Sequence, residues 1–403
     1  MKILILCQLF LPLIYGGGES LFWSLARSLV SRGHEVHVIT QKVRGEKAAE
    51  RICGVNIWRV GSPVDYSGAL TTGLQQSVAY LLTAFFMGIR IGLRRRVDVI
   101  HSNTYVPSVV GQLCAMVMRK RHVMTVHDVY LASLPWFWDK WSKQPTVGLL
   151  ARLFGPLIER TLLHMPVAAI HTVSDTSKRD LLEIGTKTKI IVVPNGIDVD
   201  EYRTRADVGV DNHQAIFIGR LVFYKNLEVV FRALARTIRA VPDAKLVVVG
   251  DGPMKTGWEN MVRDLGLAHR VLFQGRVPQQ EKLMLLEQSA FLVLPSIVEG
   301  FGIVTLEAFA CMKPVLASAI SALSELVSDG VDGYLLDPAS EEDWADKMIA
   351  LFGNAERTHQ MGLMGQDKLL LNFTIDRVAE QMEHLYESQG KDKSELTPSF
   401  SFK

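Results

Sequence analysis

Cysteine is scarce in this chain: Cys7, Cys53, Cys114 and Cys311 are scattered and form no CxxC pair. Such spacing offers neither a zinc site nor a disulfide framework, and it suits a reducing cytosol. An excess of one charge is lacking too. The 44 Lys and Arg stand against 42 Asp and Glu, a net +2, so nothing global points to a nucleic-acid partner. Long apolar runs are short of what a bilayer needs. The stretch from Val78 to Ile89 is about half the ~20 residues that span one, and no transmembrane helix is expected. The opening residues have the lysine, apolar stretch and small residues of a secretory leader, but Gln8 and Pro12 interrupt the stretch. A buried first strand feeding a loop and helix is the better reading.

What is present is a globular composition, 48% apolar and 21% charged over 403 residues. That length suits two domains of about 150 to 200 residues each. Apolar runs at Ile3–Cys7, Val36–Thr40, Val97–His101, His122–Val126, Ala168–Val173 and Ile190–Val193 alternate with helical stretches, as in a parallel sheet. A second series follows at Ala215–Gly219, Lys245–Gly250, Val271–Gln274, Phe291–Pro295, Val315–Ser318 and Gly333–Leu336. Between them, residues 194–214 are polar and turn-rich and read as a linker. The division is therefore 1–205 for a first Rossmann-like domain and 206–372 for a second. A helix at 373–388 is expected to pack back on the first, and 389–403 reads as a disordered tail.

Two glycine signals fail the tests for better-known nucleotide folds. Gly16-Gly17-Gly18-Glu19-Ser20-Leu21 lacks the third glycine of GxGxxG, as does Gly250-Asp251-Gly252 with Lys255. Lys255-Thr256 lacks the glycine of a Walker loop. The first loop nevertheless sits between a strand and the helix Glu19–Ser31, where backbone N–H groups at the helix start can touch phosphate. A plain strand-to-helix turn is the competing reading.

The strongest string is Pro295 to Ala308, at the carboxyl end of a strand, with Glu299 and Glu307 eight residues apart. Either glutamate alone would serve as a helix-start carboxylate. Gly300 and Gly302 add bare backbone that a ligand can approach. After another strand come Gly219-Arg220 and then Lys225, a guanidinium fork and a point charge suited to a leaving diphosphate. Thr125-Val126-His127-Asp128 ends a strand of the first half, and ligands of open α/β sheets gather at such ends. Asp198-Val199-Asp200 has the DxD spacing of metal-dependent sugar transferases, but it lies in the linker and reads as turn chemistry.

Taken in order, the glycine loop, TVHD, VSDTSKRDLLEIG, VVPNGID, FIGRLVFYKN, VVVGDGP and the E-x7-E string make the chain resemble family 4 of the retaining glycosyltransferases. That resemblance implies the GT-B fold, two Rossmann-like α/β domains with parallel sheets facing across a cleft. It implies that Arg220 and Lys225 hold the donor diphosphate and that Glu307 contacts the ribose. Glu299 and the backbone of Gly300, Phe301 and Gly302, with Gly219 and Ile303 beside them, would face the donor. Gly17 and Gly18 would meet its distal phosphate, and His127 the sugar. The catalytic set is then His127, Arg220, Lys225 and Glu299, with no metal and no cofactor beyond a UDP-sugar or GDP-sugar donor. Phe223-Tyr224 departs from the pattern, being bulkier than the small, polar residues often found there.

The acceptor is expected to be a glycan or a polyprenyl-linked carrier. Arg94-Arg95-Arg96 after the apolar stretch, Arg119-Lys120-Arg121, and the aromatic string Leu134 to Trp141 suggest peripheral contact with an anionic membrane from the cytoplasmic side. A buried helix and an acceptor-site lid would explain the same residues. A sugar-nucleotide epimerase and a silent sugar-nucleotide-binding partner subunit are the rival functions.

Overall fold

The computed structural model of the protein describes residues 1–12, 16–64, 74–133, 137–143, 149–202 and 209–388. Parts of the linker (203–208), the Leu134-Pro135-Trp136 portion of the aromatic string and the expected tail (389–403) lie outside them. The first lobe holds β1 (Lys2–Leu6), α1 (Gly17–Ser31), β2 (Glu35–Val43), β3 (Ala49–Ile52), β4 (Val55–Val64), α2 (Leu74–Arg95), β5 (Val99–Ser102), α3 (Val106–Met118) and β6 (Arg121–Val126). It continues through α4 (Tyr130–Ser133), α5 (Phe137–Ser142), α6 (Leu149–Leu163), β7 (Ala169–Thr172), α7 (Asp175–Glu183) and β8 (Ile190–Val192).

Those strands form one sheet of order β3-β4-β2-β1-β5-β6-β7-β8. All pairs are parallel except β3 with β4. The opening apolar stretch is thus a central strand, with Ile3, Leu4, Ile5 and Leu6 fully buried. Sequence periodicity missed the β3–β4 hairpin, whose outer strand alternates exposed and half-buried residues. Cys53 and Gly54 both take positive φ, 47° and 81°, as a two-residue hairpin turn requires.

The second lobe holds β9 (Asp211–Ile218), α8 (Leu227–Thr237), β10 (Lys245–Val249), α9 (Lys255–Asp264), β11 (Val271–Gly275), α10 (Gln279–Gln288), β12 (Ser289–Leu294) and α11 (Ile303–Ala310). After these come β13 (Val315–Ser318), α12 (Ser321–Ser324), β14 (Gly333–Leu336), α13 (Glu341–Phe352), α14 (Ala355–Asn372) and α15 (Ile375–Ser388). Its sheet is fully parallel, ordered β11-β10-β9-β12-β13-β14. In each sheet the strand order reverses beside the first strand, which opens a crevice at the carboxyl ends.

Although last in the chain, α15 packs on the first lobe. Val378, Ala379, Met382, Leu385 and Tyr386 share a core with Ile3, Ile5, Phe22 and Leu25. The two chain crossings between lobes are stitched together where Ile197 N–H donates to Phe373 O at 3.0 Å and Ile375 N–H to Ile197 O at 2.9 Å. Gly196 permits this: a Cβ there would sit 2.8 Å from Phe373 O. Asp198 accepts the Asp200 N–H and pairs with Arg27, which is turn chemistry.

The apolar stretch from Val78 is longer in the structure than its sequence suggests. It belongs to α2, a helix of 22 residues, because Arg94 and Arg95 continue it and only Arg96 turns out with φ 57°. By length and composition alone α2 is apolar enough to cross a membrane. Its Tyr80, Ala84 and Ile91 are buried among residues of the sheet and α3.

Candidate active site

The second-lobe half of the crevice is built from the loops after β9 and β12. Past β9, Gly219 N–H donates to Val249 O and Leu221 N–H to Asp251 O, each at 3.0 Å. This close packing explains the GDG string: a Cβ on Gly250 would lie 1.9 Å from Gly219 O, and one on Gly252 2.4 Å from Leu221 O. The chain then turns through Phe223–Lys225 and leaves at Asn226, whose side-chain amide donates to Pro338 O. Ile297 N–H donates to Tyr224 O at 2.8 Å, which docks the glutamate loop on the basic turn.

Gly302 caps α11 with φ 84°, a left-handed conformation that glycine adopts without strain. Glu299 remains on the loop and Glu307 falls in the second turn of α11. Lys225 Nζ lies 2.5 Å from Glu299 Oε2, with both side chains largely withdrawn from water. Glu307 is held elsewhere. Its Oε1 accepts from Tyr202 at 3.0 Å and Lys282 at 2.9 Å, and its Oε2 from Lys282 at 2.8 Å. Sequence reasoning missed both partners. Lys282 lies on α10, past the carboxyl end of β11, and a lysine soon after a strand end is the signal that was there to be used.

From the first lobe, the loops after β1 and β6 close on these residues. A Cβ on Gly17 would lie 2.8 Å from Ile303 Cγ2, and one on Gly18 3.0 Å from His127 Nε2. A Cβ on Gly300 would meet Asp128 Oδ1 at 2.1 Å and His127 O at 2.3 Å. Bare backbone at Gly17 and Gly300 is what lets the lobes approach so closely, while Gly18 leaves room for the His127 ring within the first lobe. His127 Nε2 is buried without a hydrogen-bond partner. Burial, with His171 nearby, lowers the pKa of His127 to about 3, so the ring is neutral and can offer one donor and one acceptor. A buried ring nitrogen without a partner is one that a ligand or an ordered water can satisfy.

Asp128, which sequence reasoning left without a role, is raised to about 6 by burial and by Glu299, against the pull of Lys225 and Arg220. Arg220 is exposed to solvent at the cleft; enclosure by the surrounding walls opposes its charge, but Tyr224, Tyr130, Glu19 and Asp128 together raise its pKa. Glu19 folds over the start of α1, taking the N–H groups of Gly16 and of Glu19 itself, and burial raises its pKa. The helix start offered to a phosphate therefore already carries an internal carboxyl facing Arg220.

The geometry brings Arg220, Lys225 and Glu299 within electrostatic reach of Asp128, sets Gly300 against His127 O and Gly18 against the His127 ring, and holds Glu307 on Tyr202 and Lys282 instead. Among the described residues, no group of three or more His, Cys, Asp or Glu is arranged to hold a metal.

Comparison with known proteins joins these halves. Residues 15–201 match the family model described as Glycosyltransferase Family 4, and residues 198–368 match Glycosyl transferases group 1. A D-inositol 3-phosphate glycosyltransferase of Corynebacterium aurimucosum is 28% identical, over 92% of this chain and 90% of that protein. Sucrose-phosphate synthase from Thermosynechococcus elongatus superposes with a TM-score of 0.80 at 20% identity, covering 96% of this chain and 99% of that one. Anabaena HepE in complex with UDP-glucose gives 0.73 at 20% identity, covering 96% and 100%. At such identities the structural likeness speaks for the fold.

Proposed function

The chain belongs to the glycosyltransferases of family 4 and group 1, whose two halves it carries in order, and from that premise we propose a retaining transferase that moves a hexosyl unit from a nucleotide diphosphate sugar to a glycan or lipid-linked acceptor. Its donor is a UDP-sugar or a GDP-sugar. The observation that carries this reading is the Lys225–Glu299 pair, whose loop docks through Gly300 on the backbone of His127 and on Asp128 of the other lobe, where His127 Nε2 is bare.

In the proposed reaction, Arg220 and Lys225 take up the charge that grows on the departing nucleoside diphosphate, without a metal ion. Glu299 releases Lys225 to the phosphates and turns to the sugar, while Glu307 holds the ribose. The acceptor hydroxyl attacks from the face the diphosphate leaves and passes its proton to the departing diphosphate oxygen as the sugar–phosphate bond breaks, so the anomeric configuration is kept. No Asp or Glu is assigned as covalent nucleophile; Glu299 positions. Family membership favours this over an epimerase. An NMR spectrum of the fresh product tests it: a product anomer matching the donor supports retention, and an inverted one refutes it.

Contact with an anionic membrane on the cytoplasmic side belongs to the same reading. Val78, Leu82, Phe86 and Leu93 on α2 are exposed, as are Met116 and Val117 on α3. Beside Phe86, Lys42, Arg59 and Arg90 line a cavity of about 420 Å³. Apolar side chains flanked by cations suit an interface with acidic headgroups.

A further inference from the structure

The bulky pair Phe223-Tyr224, at odds with the pattern the sequence otherwise follows, finds its reason across the cleft. Phe137, from α5 of the first lobe, is fully buried and stacks parallel on Tyr130 at 4.7 Å. Its other neighbours belong to the donor lobe: the rings of Phe223 and Tyr224, each with its centroid 5.8 Å away. Val222 and Val298 complete the cluster. Lys140, one turn further along α5, sets its ammonium 4.8 Å from the Phe223 ring centre. An apolar cluster drawn from both lobes therefore closes over the turn that carries Arg220 and Lys225.

The cluster has one polar output. Arg220 Nη2 donates to the Tyr224 hydroxyl at 3.1 Å. A phenol that accepts one hydrogen bond still has its own proton to give. Among the described residues the Tyr224 hydroxyl accepts from Arg220 and makes no hydrogen bond as a donor. An anionic oxygen beside Arg220 would supply the acceptor.

We propose that Tyr224 is part of the diphosphate grip: it fixes the Arg220 guanidinium, donates a hydrogen bond from its hydroxyl to a phosphate oxygen of the donor, and is held in place by Phe137 from the opposite lobe. The donor grip is then complete only while α5 is packed on the donor lobe, and a segment on the acceptor side controls it. Tyr224 thus both orients Arg220 and touches the donor, and Phe137 is the positioning residue behind it. The inference rests on Arg220 contacting the donor diphosphate.

The test is a double-mutant cycle on the full chain with Tyr224→Phe and Phe137→Ala, read by binding of UDP and GDP, with uridine and guanosine as controls, and by transfer rate. Tyr224→Phe keeps the ring and removes the phenol. It is expected to weaken nucleoside diphosphate binding and lower kcat/KM by about tenfold, with nucleoside binding and melting temperature unchanged. Phe137→Ala moves both in the same direction, and Phe137→Leu, which keeps most of the apolar volume, moves them less. The double variant loses no more than the worse single, because both act through one contact. Losses that simply multiply, or a Tyr224→Phe protein that binds diphosphate as the wild type does, overturn the proposal. A wild-type protein that binds neither nucleoside diphosphate overturns the donor-site reading along with it.

Discussion

Glu325 of the donor lobe reaches the start of α7 in the first lobe, where its carboxylate accepts the Thr176 N–H at 2.7 Å and the Thr176 hydroxyl at 2.6 Å. It also takes the Asp175 N–H at 2.9 Å. A helix start thus receives its negative partner from the opposite domain. With the Phe137 cluster and the close approaches at Gly17 and Gly300, this ties the lobes together on several separate elements.

Glu325→Ala should loosen the closed arrangement. The cap is worth about 1 kcal/mol, so closure weakens about fivefold while each lobe stays folded. Small-angle scattering should show a larger radius of gyration without a fall in helix content by circular dichroism. An unchanged radius would mean that Glu325 caps α7 without governing closure.

A second prediction concerns acid. Val193 O can only accept, so His171 Nε2 donates to it, and His171 Nδ1 accepts from Thr125. Thr125 in turn accepts from His101 Nε2, whose Nδ1 takes the Tyr386 hydroxyl of α15. Burial lowers His171 to about 4 from an ordinary 6.5. The unfolded chain takes up this proton and the folded one does not. Its stabilising contribution is therefore whole above pH 6.5 and is lost as pH falls toward 4, at about 1.4 kcal/mol for each pH unit. Asp128 and Glu159, raised to about 6 and about 7, act the opposite way over part of that range. Urea titrations of wild type and His171→Gln at pH 7.5 and 5 isolate the histidine's share: the stability lost between the two pH values should be smaller in the variant. Equal losses would contradict it.

Membrane contact makes a third. Phe86→Asp, at a side chain 68% exposed, should abolish sedimentation with vesicles of phosphatidylglycerol while leaving nucleoside diphosphate binding alone. Lys42→Glu with Arg90→Glu should do the same. Equal sedimentation of wild type with neutral phosphatidylcholine would point to apolar adsorption, and no sedimentation with either vesicle would end the proposal.

Much of this was legible in the residues, for physical reasons that can be named. Strands buried on both faces, such as β1 and β12, read as unbroken apolar runs, and the loops after them hold Gly17, Gly18, Glu299 and Gly300. The hairpin β3–β4 did not show itself because half its side chains face water and its turn, Cys53-Gly54, is not a common turn dipeptide. Tyr202, Lys282 and Glu325 stayed hidden because each meets its partner only through the tertiary fold: Lys282 and Glu307 are 25 positions apart, Thr176 and Glu325 149. Phe223-Tyr224 looked like a departure from pattern until Phe137 gave it a partner.

The measurement that bears most directly on the account is nucleoside diphosphate release from a panel of UDP-sugars and GDP-sugars by wild type, Lys225→Ala and Glu299→Ala. Wild type should act on at least one donor, and both variants should fall by about 100-fold or more, the scale of losing one charge-stabilising contact. If Lys225→Ala and Glu299→Ala turn over that donor at the wild-type rate, the proposed site is not where the chemistry occurs.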